Sequence, residues 1–208
     1  MRASEPAAPG SDEEAALVAL RSGGAVGLPT DTVYGLAVLP ALPDALEELF
    51  ALKGRPEAVA VAVLVADASQ ALALAADPDG GLGRLAEAFW PGPLTVVARR
   101  AAGVDYPLGG DPASIGLRCP DDALVRRLAA SLGPLAVTSA NLHGEPPITD
   151  AGVLRRTFPG IVVVDGGVRD GQPSTVVSLL DALPEVLREG PIGARALSEA
   201  LSGDGARS

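Results

Sequence analysis

Apolar positions fall into two rhythms along this chain. Helical spacing appears in Glu14–Leu20, where Ser11 and Glu14 form a capping box, and again in Asp44–Leu52. Leu82–Phe89 shares it and is stopped by the Pro-Gly-Pro of residues 91–93. Asp67 and Gln70 open a further Ala/Leu helix, and Asp121 is read as the cap of a helix running to about Leu132. Val153–Thr157 and Ala194–Leu201 complete the helical set. Short aliphatic runs predict strands at Ala25–Leu28, Val61–Val65, Leu94–Ala98, Ser114–Arg118 and Leu135–Val137. Three more are expected at Ile161–Val164, Thr175–Leu179 and Val186–Arg188. Their spacing is too irregular for a simple βαβ series. The expected fold is therefore α/β, with a twisted mixed sheet flanked by helices.

No fixed-period repeat and no linker divides the chain. The expected organisation is a disordered tail over 1–12, one catalytic domain over 13–191, and a C-terminal helix and tail over 192–208. The N-terminal stretch lacks a signal-peptide pattern, and the longest apolar run, Ala58–Ala66, stops at Asp67. Spanning a bilayer takes roughly 20 apolar residues. A soluble, cytoplasmic protein without membrane partners is expected.

Composition narrows the chemistry. Hydrophobic residues make up 48% of the 208 residues but aromatics only 3%, so the core must pack small aliphatic side chains. A net charge of −10 argues against a protein that coats duplex nucleic acid, which needs a basic face. Lys53 is the only lysine among 16 basic residues. One Cys excludes an internal disulfide, and one His beside it makes a conventional zinc site implausible. Cys119 paired with His143 is formally a nucleophile and base. The competing reading is a buried thiol beside a strand end.

Four stretches carry polar residues where a strand or helix ends, the usual place for ligands in α/β proteins. In residues 27–38, Thr30, Asp31 and Thr32 either meet a ligand or cap a helix before Val33. In residues 51–56, Lys53 and Arg55 flank a glycine and form an anion site or a solvated pair at a helix end. Arg118 closes an apolar strand and needs a partner, either a ligand carboxylate or a core Asp. Thr138, Ser139 and Asn141 follow another strand and offer neutral hydrogen bonds, or else simply form a turn. Together these residues suggest one cavity for an anionic, nucleotide-like ligand. Neither a Walker-type loop nor a GxGxxG cradle is present.

PTDTVYGL, KGRP, FWPGPLT, SIGLRCP, TSAN and PSTVV…REG occur in this order. They resemble the motifs of the YrdC-like family, the threonylcarbamoyl-adenylate synthases, over roughly Ala15–Pro191. The resemblance implies a YrdC-like twisted sheet with a large concave cavity, and a single-domain form. It implies a nucleotidyltransferase that joins L-threonine, bicarbonate and ATP into threonylcarbamoyl-AMP and pyrophosphate, for threonylcarbamoyladenosine modification of tRNA. The product would pass to a separate threonylcarbamoyl transferase complex, with at most weak contact to tRNA. By motif, Lys53 and Arg55 are implied as catalytic, and they bind ATP with Ser114, Ser139, Asn141 and Arg188. Thr30, Thr32, Arg118 and Thr138 are implied to bind threonine. Mg²⁺ would accompany ATP, with no protein side chain as its ligand. The chain departs from the family after KGRP, where Val59, Ala60, Val61 and Leu64 replace positions that often carry Asn, Pro-Leu and His.

Two rivals remain at this stage. A carbamoyltransferase that makes carbamoyl-adenylate would use carbamoyl phosphate and ignore threonine. A non-catalytic RNA-binding module would bind RNA in a salt-sensitive way without consuming ATP.

Overall fold

The computed structural model describes residues 11–54, 59–142, 144–169 and 171–202. Arg55 and His143, two residues singled out above, lie outside the described residues. So do the tail over 1–10 and the last six residues.

Seven helices and ten strands are described: α1 Ser11–Arg21, β1 Val26–Leu28, β2 Gly35–Val38, α2 Ala45–Lys53, β3 Ala62–Leu64, α3 Ala68–Leu72, β4 Ala75–Ala76, α4 Gly81–Phe89, β5 Leu94–Arg100, β6 Ser114–Arg118, α5 Ala123–Leu132, β7 Leu135–Ser139, α6 Ala151–Thr157, β8 Val162–Val163, β9 Thr175–Ser178, β10 Glu185–Arg188 and α7 Ala194–Ser202. The strands form one sheet in the order β10-β9-β5-β6-β3-β7-β2-β1-β8, with β4 paired to β5. Pairs β1–β8, β3–β6 and β5–β9 are parallel, and the rest are antiparallel. The mixed sheet expected from the irregular spacing is therefore present.

Two local expectations need correction. The polar stretch before Val33 caps no helix, because the chain runs on into strand β2, whose alternate residues reach two cores. The cap of α5 is Asp122, whose carboxylate accepts from the amides of Leu124 and Val125. Asp121 sits one residue too early and pairs with Arg126 on the surface. The Ala/Leu helix expected after Asp67 is present as α3, five residues long, with the Asp67 carboxylate accepting from the Gln70 amide.

Strand periodicity sorts side chains onto two faces. One face carries Leu36, Val38, Val63, Leu94, Val96, Ile115 and Leu117, packed with α2 and α4 residues such as Leu49, Leu82 and Leu85. Helix α7 adds Leu197 to this core and lies against α4. Helix α7 thus serves as packing for this core. The opposite face carries Ala37, Leu64 and Val137, covered by Leu20 of α1 and by Val125 and Leu128 of α5. Each fully buried Leu of this kind contributes about 1.5–3 kcal/mol. Helices α1 and α5 lie over β8, β1 and β3. Farther along the same face, over β6, β5 and β9, the sheet fronts a cavity.

Candidate active site

The cavity has a volume of about 420 Å³, a size typical of small-molecule sites. Its floor follows from the alternation within each strand. In Ser-Ile-Gly-Leu-Arg of β6, Ile115 and Leu117 belong to the core, while Ser114, Gly116 and Arg118 line the cavity, which Ile115 also borders. In β5, Leu94 and Val96 enter the core, while Thr95 and Val97 line it.

Lys53 ends α2. Gly54 caps it in the left-handed region at φ 60°, where a side chain would be strained. The lysine is 3% exposed. Its ammonium donates to Thr138 Oγ1 at 2.9 Å, the Ser139 carbonyl at 2.6 Å, Ser139 Oγ at 3.1 Å and Asn141 Oδ1 at 3.0 Å. Ser139 Oγ donates in turn to Asn141 Oδ1 at 2.6 Å. Asn141 turns its amide nitrogen to the carbonyls of Leu142 and Glu145. The end of β7 is thus a ring of oxygens gathered round one ammonium. Thr138 and Ser139 also line the cavity.

Arg118 is 6% exposed. Its Nε donates to the Gly92 carbonyl at 3.1 Å, Nη1 to Thr32 Oγ1 at 3.0 Å, and Nη2 to Asp31 Oδ1 at 2.6 Å. The core-Asp reading of Arg118 is therefore realised in Asp31. A guanidinium has five N–H groups, so one remains on each terminal nitrogen for a ligand. The Pro-Gly-Pro segment supplies the Gly92 carbonyl, and its Trp90–Pro91 bond is cis. Gly92 is packed so closely on the Phe89 carbonyl that a Cβ would lie 2.5 Å from that oxygen.

Thr30 Oγ1 donates to the Val33 carbonyl at 2.7 Å and lies 3.0 Å from Thr32 Oγ1. Its single proton is spent on Val33, so Thr32 donates to Thr30 and accepts from Arg118. This local hydroxyl turn, not a helix cap, explains the polar cluster. Both threonines line the cavity.

Arg188 stands across the floor. It donates through Nε to the Ser174 carbonyl at 3.0 Å and through Nη2 to Ser174 Oγ at 3.0 Å. Its acidity is raised, first by partial enclosure and second by the positive charge of Arg118. Two guanidinium groups that repel each other across a cavity favour an anion between them.

Of the residues expected at the site, Thr30, Thr32, Ser114, Arg118, Thr138, Ser139 and Arg188 line this one cavity. Lys53 and Asn141 join it through the β7 oxygens. The replacements Val59, Ala60, Val61 and Leu64 line it as well. Sequence reasoning missed three residues. Ser174 orients Arg188 and is hydrogen-bonded to Thr95 at 2.9 Å. Both lie inside recognised motifs, PSTVV and FWPGPLT, but neither motif alone says which of its residues faces inward. Tyr34 also lines the cavity; its hydroxyl donates to the Gly167 carbonyl and accepts from the Gly166 amide. Burial pushes its ionisation upward.

Cys119 is 3% exposed, and burial raises its thiol to about 11. Its Sγ donates to the Ala66 carbonyl. Buried and hydrogen-bonded to a main-chain carbonyl, Cys119 has the environment of a structural thiol rather than of an activated nucleophile. Among the described residues no cluster of His, Cys, Asp and Glu could hold a metal ion. The cavity's donor set is cations, hydroxyls and an amide, which suits phosphate oxygens rather than a cation.

The class is that of a mixed α/β protein whose sheet carries cations and hydroxyls on its open face, a set of groups suited to an anionic ligand. The chain belongs to the Sua5/YciO/YrdC family, whose profile, described as telomere recombination, matches residues 18–190. It is 36% identical over 194 residues to a Mycobacterium tuberculosis protein provisionally named threonylcarbamoyl-AMP synthase, covering 92% of this chain and 89% of that one. It is 37% identical over 177 residues to the human threonylcarbamoyl-AMP synthase, covering 79% of this chain and 62% of that one. The crystal structure of Pyrococcus abyssi Sua5 complexed with L-threonine superposes with a TM-score of 0.85 at 30% identity. It covers 94% of this chain, which spans 58% of that longer protein.

Proposed function

We propose that this chain is a threonylcarbamoyl-AMP synthase. It joins L-threonine, bicarbonate and ATP into threonylcarbamoyl-AMP and pyrophosphate. The observation that carries the reading is one cavity with Arg118 and Arg188 in its walls and the buried Lys53 behind the β7 oxygens.

Such a site needs no enzyme nucleophile. Threonine and bicarbonate lose water to form a carbamate. A carbamate oxygen bonds to the α-phosphorus of ATP, the bond from that phosphorus to the bridging oxygen breaks, and pyrophosphate leaves. Negative charge grows on the phosphoryl oxygens and the leaving group. Lys53, with Arg55 beside it in sequence, and Arg188 offset that charge, while fixed hydroxyls orient the reactants. The two uncommitted N–H groups of Arg118 take the threonine carboxylate, with Thr30, Thr32 and Thr138 near the amino acid. Ser114, Ser139 and Asn141 serve the nucleotide. Mg²⁺ would accompany the triphosphate and supply charge neutralisation there, with no side chain of this chain as its ligand.

In this reading the enzyme is a nucleotidyltransferase of the cytoplasm, and its adenylate is consumed by a threonylcarbamoyl transferase complex acting on tRNA. Among the described residues no helix is long and apolar enough to cross a membrane. The test is pyrophosphate release from ATP and bicarbonate, with and without L-threonine, with the adenylate followed by mass spectrometry. Threonine-dependent release is expected. Release that follows carbamoyl phosphate instead would overturn the proposal in favour of a carbamoyltransferase, and the absence of turnover alongside salt-sensitive RNA binding would favour a binding module.

A further inference from the structure

Glycine inside a strand weakens it and needs a reason. Three cases in this sheet can be compared. In β1, a Cβ on Gly27 would lie 2.6 Å from Leu154 Cδ2 and 3.1 Å from Val163 Cγ2. In β2, a Cβ on Gly35 would lie 2.5 Å from Val137 Cγ1. Packing accounts for both.

Gly116, at the centre of β6, is different. A Cβ there would meet Thr95 Cγ2 at 3.7 Å, Val97 Cγ2 at 3.9 Å and the Ala62 Cα at 4.0 Å. These are ordinary contacts, so the protein itself does not exclude a side chain. Its φ is not in the left-handed region, so backbone conformation does not require glycine either. A side chain would project into the cavity, from the middle of its floor.

The neighbours say what passes over it. Ser114 and Arg118 lie two residues either side on the same face, about 13 Å apart along the strand. Register places Val97 beside Gly116 on one flank. Ala62 lies beside it on the other, one step before the Val63–Leu117 pair. On the proposed reading Gly116 lies between Arg118, assigned to the amino acid, and Ser114, assigned to the nucleotide.

We infer that Gly116 is a clearance position: its missing side chain makes room for the junction where carbamate and α-phosphate meet, and so sets how closely the two substrates approach. This rests on the proposed synthase reading. Gly116 touches the reacting region by leaving it empty, so it is a specificity-determining residue rather than a catalytic one.

The experiment compares the wild type with Gly116→Ala and Gly116→Val. Thermal melting, adenylate formation, and calorimetric binding of ATP and L-threonine are followed for each. Gly116→Val is expected to melt at or above the wild-type temperature, because a β-branched residue suits a strand. Its adenylate formation should fall at least about a hundredfold, the scale of an ångström-sized misplacement. Gly116→Ala should fall between the two. Activity of Gly116→Val within about threefold of wild type would overturn the inference. So would loss of its cooperative melt, which would show that the side chain meets protein instead of ligand. A wild type that binds neither ATP nor threonine would instead bring down the synthase reading. Ligand binding and turnover retained by Gly116→Val would bring down this inference alone.

Discussion

Lys53 illustrates how one side chain can serve fold and chemistry together. Its ammonium closes the oxygens of Thr138, Ser139 and Asn141 into a ring. Lys53→Met keeps most of the volume but removes the donor those oxygens share. The expected stability loss, read by urea unfolding, is about 1–3 kcal/mol. Adenylate formation by the folded variant should fall by about 10²–10³-fold, the usual cost of removing one charge-stabilising donor. A variant that is folded and fully active would remove Lys53 from the mechanism. Cys119 makes the opposite point. With its thiol raised to about 11, it should resist alkylation at pH 8 until the protein unfolds. Fast modification of the native protein would contradict its burial.

Caps and turns decide where the functional side chains begin. Asp67 caps α3, accepting from the Gln70 amide at 2.9 Å and from Ser69 Oγ at 2.6 Å. The Ser69 hydroxyl, then the Gln70 amide, hold its carboxyl below the ordinary value of 3.8. A carboxylate with a depressed folded-state value contributes stability above its unfolded value and loses it as pH falls through the folded one. The gap in melting temperature between wild type and Asp67→Ala should therefore be full above about pH 5 and close progressively below pH 3.8. A gap that grows on acidification would reverse the assigned sign. Asp122 shows why element ends are hard to place from sequence. Two adjacent aspartates look equally able to cap, and only the path of the chain selects the second.

Long-range packing joins the two halves of the cavity. Gly190 lies so close to the backbone of Pro173, Ser174 and Thr175 that any Cβ would collide with main-chain atoms. That contact holds β10 and its Arg188 against Ser174, at the far side of the floor from Lys53. Gly190→Ala should cost more than about 2 kcal/mol in stability and weaken ATP binding, measured by melting and calorimetry. An unchanged melt would show that the strand pair can part freely. The apolar rhythms were enough to find nearly every helix and strand, because burial of aliphatic side chains sets both periods. They did not reveal β2, whose Gly35–Val38 follows directly on a polar turn that also reads as a helix cap. The motif residues named the kinds of group that line the cavity, cations and hydroxyls, although each stretch also had a structural reading. Tyr34, Thr95 and Ser174 escaped notice because facing inward is a property of register, not of residue type. Asp31 as the partner of Arg118 depended on a contact 87 residues apart in sequence. Sequence alone determined most of the elements, the family and the kinds of group at the site. The tertiary structure decided which face of each strand meets the cavity and which charges share it, because those depend on pairing between distant strands that no local pattern encodes.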